Sequence, residues 1–216
     1  ASNVIVASDR PLRVELLKAG HFSLLKSSEY SQYIPMFQGM LLRSWISQAE
    51  RGLAGIVPAR QPYCLIAIEK EKPISFAVVQ PNNRRGTCWS VANSEILNMP
   101  QNSSMSFVNQ QLLQCALLQK NNRAHSWITR CPTSDSNQIS LARELGFQPL
   151  KLYKYWSKPQ HLNTTPKRVT VESMPSELQW QQITKGTARL LWPLVKANES
   201  IHLRQILDRH WSDLLD

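Results

Sequence analysis

An α+β fold, a mixed sheet sandwiched by helices in a three-layer arrangement, is predicted by three features of the 216-residue sequence. Two apolar strand-like runs, 63–69 and 73–80, lie close together, and a turn signal after them leads into a third run. That order is what antiparallel strands require. Further along, short apolar runs alternate with segments of helical spacing, the pattern of strand–helix–strand units.

The elements follow in order. Residues 34–50 read as a helix, with Pro35 suited to the first turn and Phe37, Met40, Leu41 and Trp45 on one face, ended by Gly52 and Gly55. Residues 63–69 (YCLIAIE) and 73–80, led in by Pro73, read as strands. Asn82-Asn83-Arg84-Arg85-Gly86 is a turn signal, so a hairpin continues into a strand over 87–97. A polar loop, Asn98 to Ser106, precedes a helix over 107–120 with Val108, Leu112, Cys115 and Ala116 at helical spacing. A strand over 125–131, a loop from Pro132 to Ser136, a short helix over 137–145 stopped by Gly146, and a strand over 147–156 complete the predicted order.

Composition narrows the class. Hydrophobic residues make up 42% of the chain, too many for an intrinsically disordered one. No run of about 18 apolar residues offers a membrane span. The opening stretch ASNVIVASDRPLRVELL lacks the charged-then-apolar layout of a signal peptide. Residues 1–160 hold 18 Lys+Arg against 9 Asp+Glu, and residues 161–216 hold 7 against 6, so the positive charge belongs to the larger N-terminal part. It favours anionic partners. No basic run exceeds Arg84-Arg85 or Lys167-Arg168, so no nucleic-acid arm is visible. Cys64, Cys88, Cys115 and Cys131 have no CxxC spacing and no nearby His pair, which argues against a metal site. They read as buried reduced thiols, as expected of a cytoplasmic protein.

From about residue 10 to 160 the chain resembles the GNAT superfamily of acetyl-CoA-dependent N-acetyltransferases, as a divergent member. The resemblance is carried by Leu145-Gly146-Phe147 between a short helix and a strand, and by the upstream order of helix, strands, loop, long helix and strand. It implies a split mixed sheet whose two central strands part around acetyl-CoA. It also implies that backbone N–H groups of the loop opening the long helix hold the pyrophosphate, since a helix N-terminus offers free donors and a positive dipole end. The corresponding cofactor residues are Ile96, Leu97, Gln101, Asn102, Ser103, Ser104, Met105, Ser106 and Asn137. The family pattern Gln/Arg-x-x-Gly-x-Gly/Ala is met here by Gln101 but has serines at 104 and 106 in place of glycines. The tyrosine that many members use to protonate the leaving thiolate is replaced by Ala142. Glu95 is the carboxylate on the strand that carries the family's general base. The implied activity is transfer of an acyl group from acetyl-CoA to a small-molecule or peptide amine. Two alternatives stand beside it: a non-catalytic GNAT-like module serving in binding or assembly, and a basic nucleic-acid-associated protein.

The C-terminal part carries an internal echo. At an offset of 166 residues, Gly20, Leu24, Leu25, Leu41, Arg43 and Trp45 match Gly186, Leu190, Leu191, Leu207, Arg209 and Trp211. Leu203, Ile206, Leu207, Trp211 and Leu214 form an apolar stripe. The predicted organisation is a GNAT-like domain over 1–158, a linker over 159–175 and a helical segment over 176–216. That segment is either an extension packed on the first domain or the opening of a second, tandem unit. The stripe needs a partner: the first domain, a second copy of the chain in a homodimer, or sequence outside these residues.

Overall fold

The computed structural model describes residues 12–25, 28–54, 61–92, 94–119, 124–154 and 181–215. Strand β1 spans Leu12–Leu16, helix α1 Ile34–Ala54, β2 Tyr63–Glu69, β3 Lys72–Pro81, β4 Cys88–Val91, β5 Glu95–Ile96, helix α2 Met105–Leu118, β6 Ser126–Thr129 and helix α3 Ser136–Glu144. Helices α4, Lys185–Asn198, and α5, Ile201–Leu207, follow, and short 3₁₀ turns lie at Ala19–Ser23, Ser28–Tyr33 and Trp211–Leu215.

The sheet runs β1-β2-β3-β4-β6, with β5 paired to β3 beyond the end of β4. β1 to β4 are antiparallel neighbours, and β4 pairs with β6 in parallel. The mixed α+β architecture predicted from the sequence is therefore present. Side chains alternate across a strand, and β2 shows the consequence. Leu65 and Ala67 join Ala77, Val79, Trp89 and Val91 under α2, where Val108, Leu112 and Ala116 are buried. Cys64, Ile66 and Ile68 face the other way, with Phe76, and pack against Leu25, Tyr30 and Phe37. Phe37 meets Phe76 edge-on at 4.9 Å between ring centroids.

Four expectations change. β1 is an edge strand that the sequence reading leaves out: five residues, half-exposed, with Arg13 and Glu15 among them. The single strand over 87–97 is two strands, β4 and β5. Residues 147–154 are neither helix nor strand, and 155–156 lie outside the described residues. Pro149 has no amide to donate to a ladder, and residues 148–154 are all exposed, so no buried face holds them in an extended pairing. Trp45 is 67% exposed. At 3.6 residues per turn it stands about 80° round the helix from buried Phe37, at the margin of the stripe.

The C-terminal helices pack on the sheet unit. Leu203 and Leu207 of α5 bury themselves against Cys88 of β4 and Ile128 of β6. The stripe is broken where Asp208 takes a left-handed conformation (φ 42°), so Trp211 and Leu214 sit on a separate 3₁₀ turn. The echoed segments take different local structures: Leu41, Arg43 and Trp45 lie within one helix, while Leu207 ends α5 and Trp211 opens the 3₁₀ turn. The expected linker, 159–175, lies outside the described residues. Among the described residues no helix is long and apolar enough to cross a membrane.

Candidate functional site

The site starts from a register change. β3 pairs Val79 with Val91, but Phe76 with Glu95. Two residues of β3 thus lie between these pairs against three on the other strand, the signature of a β-bulge between Val91 and Glu95. Before the bulge, β4 pairs with β6 from Cys88–Ser126 to Val91–Thr129. After it, the chain follows β3, and among the described residues nothing on the β6 side pairs with it. The two parallel strands, paired along their whole length, both end there, and the carboxyl ends of parallel strands are where open sheets take ligands.

The loop leaving β5 is pinned to the β2–β3 hairpin. The amides of Leu97 and Asn98 donate to the Ile74 carbonyl at 2.8 and 3.0 Å, and Asn98 Nδ2 donates to the Pro73 carbonyl at 2.6 Å. The next contacts involve Glu69, the last residue of β2, only 2% exposed. Its carboxylate accepts from the Gln101 amide at 2.6 Å, the Asn102 amide at 3.2 Å and the Ser103 hydroxyl at 3.0 Å. Burial alone pushes such a carboxyl up, but the Gln101 amide, the Ser103 hydroxyl, the Asn102 amide and the nearby Lys70 charge together hold it below its ordinary 4.5. The loop then reaches α2, where Ser104 is the N-cap and its hydroxyl accepts from the Phe107 amide at 3.2 Å. Among the described residues no hydrogen bond takes the amides of Met105 and Ser106, the first two of α2. They are the orphan donors of a helix N-terminus.

Glu95 is exposed on β5, and its carbonyl accepts from the Ser75 hydroxyl at 2.8 Å. It pairs with Phe76, whose side chain packs on the α1 face, and paired residues share a face of the sheet. Exposed Ile96 pairs with Ser75, so it stands on the opposite face. Behind the bulge, the Ser94 hydroxyl lies 2.6 Å from Asn109 Oδ1 of α2. The structure thus places Glu95, Ile96, Leu97 and Gln101 to Ser106 along one run from β5 into α2. Asn137 is exposed in the first turn of α3, and among the described residues no hydrogen bond joins it to that run. Ala142 is buried on α3. Met105 packs against the α2-side core.

Glu69 is the site residue that the sequence reading misses. A signal for it existed: in YCLIAIE the alternation that sends Leu65 and Ala67 to the α2 face also sends Glu69 there. A carboxylate ending an otherwise apolar strand on a buried face has to find donors.

The thiols are not part of the site. Cys64 and Cys88 are buried, Cys115 and Cys131 partly so. Burial pushes the Cys64 thiol up to about 12, which keeps it protonated. Among the described residues no group of three or more His, Cys, Asp or Glu is placed to hold a metal ion.

Glu69 has a measurable consequence. A carboxyl held below its ordinary value stabilises the fold above that value, and the contribution is lost as pH falls through the lowered one. Thermal melts should therefore show a loss of stability developing below about pH 4.5. That acid loss should be smaller in Glu69→Gln, which is less stable than the parent at neutral pH. Identical acid limbs in the two proteins count against the assignment.

No protein-family model matches the chain, and no curated protein matches it. Solved structures do. An aminoglycoside N-acetyltransferase in complex with CoA matches over 71% of this chain and 99% of its own, at 11% identity and a TM-score of 0.48. A probable acetyltransferase matches over 68% and 97%, at 16% identity and a TM-score of 0.43. An aminoglycoside 6′-N-acetyltransferase from Acinetobacter haemolyticus matches over 68% and 98%, at 13% identity and a TM-score of 0.44. These matched structures are acetyltransferases, the class that the sequence resemblance implies.

Proposed function

We propose that the sheet unit, residues 1–158, is an acyl-CoA-dependent N-acyltransferase domain. The observation that carries this reading is the end of the β4–β6 pairing where the chain turns away along β3, in a run that leads on to the open amides of Met105 and Ser106. Bound acetyl-CoA supplies a thioester acyl group reactive toward amines. The fit to it is uneven. The Met105 and Ser106 amides suit a phosphate, whereas the Gln101 and Asn102 amides already hold the Glu69 carboxylate.

The chain's own contribution is positioning and proton handling. The α2 amides hold the anionic part of the donor, and the space beyond the paired ends of β4 and β6 receives its acyl arm. Glu95 takes a proton from the attacking amine, a small molecule or a peptide. Glu95→Gln should lower kcat about tenfold and leave the KM for acetyl-CoA unchanged. Tenfold is below the ~10²-fold usual for general-base assistance, because water reaches this exposed carboxylate. A kcat equal to the parent's removes Glu95 from the mechanism.

The reading as a whole is tested by melting temperature. A ligand that binds only the native state adds about 2.7 kcal/mol at a hundred times its Kd. Millimolar acetyl-CoA should raise the melting temperature, and free thiol should appear when the right amine is added. No shift with either millimolar acetyl-CoA or millimolar acetyl-pantetheine overturns the reading.

A second reading, a non-catalytic binding module, is favoured by Ala142, which stands where the resemblance expects a proton donor for the leaving thiolate. Acetyl-CoA binding without thiol release across a broad amine panel would support it.

A further inference from the structure

We propose that Glu69 is a specificity-determining residue of this site: its buried carboxylate occupies the loop amides that a pyrophosphate would take, and so disfavours acyl donors that carry a diphosphate. The inference rests on the acyltransferase reading above.

The geometry is that of an anion site already filled from within the chain. Two consecutive amides, Gln101 and Asn102, and the adjacent Ser103 hydroxyl converge on one carboxylate that is 2% exposed. The 2.6 Å contact from Gln101 is short, in the direction that charge assistance takes a hydrogen bond. Backbone amides in sequence, ahead of a helix, are what a phosphate needs. Here the negative charge is supplied by β2. The carboxylate cannot swing away easily, because Glu69 ends a strand paired on both sides, to Leu12 of β1 and Lys72 of β3.

A diphosphate approaching this loop has two routes, both unfavourable. It can displace the carboxylate, which leaves a buried charge without donors. Otherwise it settles on the Met105 and Ser106 amides alone, beside a like charge. A pantetheine thioester carries no phosphate and meets neither obstacle. Glu69 therefore acts on the nucleotide end of the donor and not on the acyl end.

The test compares binding of CoA and of pantetheine by calorimetry, in the parent protein and in Glu69→Gln. Glutamine keeps one oxygen for the loop amides and removes the charge. CoA should bind the variant about tenfold more tightly, a change of about 1.4 kcal/mol, while pantetheine binds both proteins equally. That split separates a charge acting on the diphosphate from a general loosening of the loop. If the parent binds CoA and the variant binds it no better, or if pantetheine gains as much as CoA, the inference about Glu69 falls and the acyltransferase reading stands. If neither protein binds CoA or pantetheine, the acyltransferase reading falls and takes the inference with it. Should Glu69→Gln fail to melt cooperatively, Ser103→Ala removes one donor from the carboxylate and leaves the strand intact. CoA should then bind about twofold more tightly, and unchanged or weaker CoA binding in that variant overturns the inference.

Discussion

Replacing Trp89 by Ala should cost about 3–5 kcal/mol of folding stability, the range for a large buried aromatic reduced to a methyl. Trp89 lies on β4, is 1% exposed and belongs to the core beneath α2. Its ring stands between Tyr63 at 5.9 Å and Trp127 at 6.4 Å, and its indole Nε1 donates to the Gly86 carbonyl at 2.8 Å. The cavity cannot close by moving the strand, because Trp89 is paired with Pro81 on one side and Trp127 on the other. Domains are stable by only about 5–15 kcal/mol, so the loss is a large part of the total. Urea unfolding should show a lower midpoint with an unchanged slope. Trp127→Ala, at a half-buried position, should cost less. A Trp89→Ala loss under about 1 kcal/mol would mean that β4 is not the centre of the core.

How much of this could be read from the sequence follows from what each residue buries. β2 and β3 are covered on both faces, so YCLIAIE and KPISFAVVQ are continuous apolar runs that can hardly be read otherwise. α2 declares itself through Val108, Leu112 and Ala116 at intervals of four, all buried. β1 is silent because an edge strand needs only half of its side chains inside, and LRVEL mixes charged with apolar residues. The bulge is invisible because it is a relation between two strands, and the periodicity of residues 87–97 alone does not contain it.

For the candidate site, the run from Glu95 to Ser106 is proposed from the resemblance, and in the structure it leads from β5 into the N-terminus of α2. The loop's hold on Glu69 was not legible, since 32 residues separate Glu69 from Gln101 and only the hairpin's register brings them together. Serine at 104 is also clearer in the structure. It is the N-cap of α2, and glycine there would lose the hydroxyl that accepts from Phe107.

The C-terminal helices pose the same question at larger scale, and Asn83 is where it is answered. Asn83 lies in the turn between β3 and β4 and is 7% exposed. Its Nδ2 donates to the carbonyls of Leu207 at 2.9 Å and Asp208 at 3.1 Å, while its Oδ1 accepts from the Thr87 amide at 3.0 Å. One side chain therefore shapes the hairpin turn and caps the end of α5. Around it, the Thr87 hydroxyl donates to Asp208 Oδ2 at 2.7 Å and the Arg84 amide to Asp213 Oδ1 at 2.8 Å. The apolar part of this contact is small: Leu203 and Leu207 against Cys88 and Ile128. Polar geometry has to supply much of the docking. Asn83→Ala should thus cost about 2–4 kcal/mol, since the buried Leu207 carbonyl and the half-buried Asp208 carbonyl and Thr87 amide lose their partner, at about 1–3 kcal/mol for a fully buried group. Asn83→Asp should cost a similar amount: it keeps the acceptor for Thr87 but places a negative oxygen against the two carbonyls of α5. Hydrogen exchange gives the decisive reading. In Asn83→Ala the amides of α5 should exchange much faster while those of β2 and β3 keep their protection, because a docked segment opens before the sheet does. Uniform acceleration across sheet and helices would instead make Asn83 a residue of the hairpin alone, and the contact with α5 incidental.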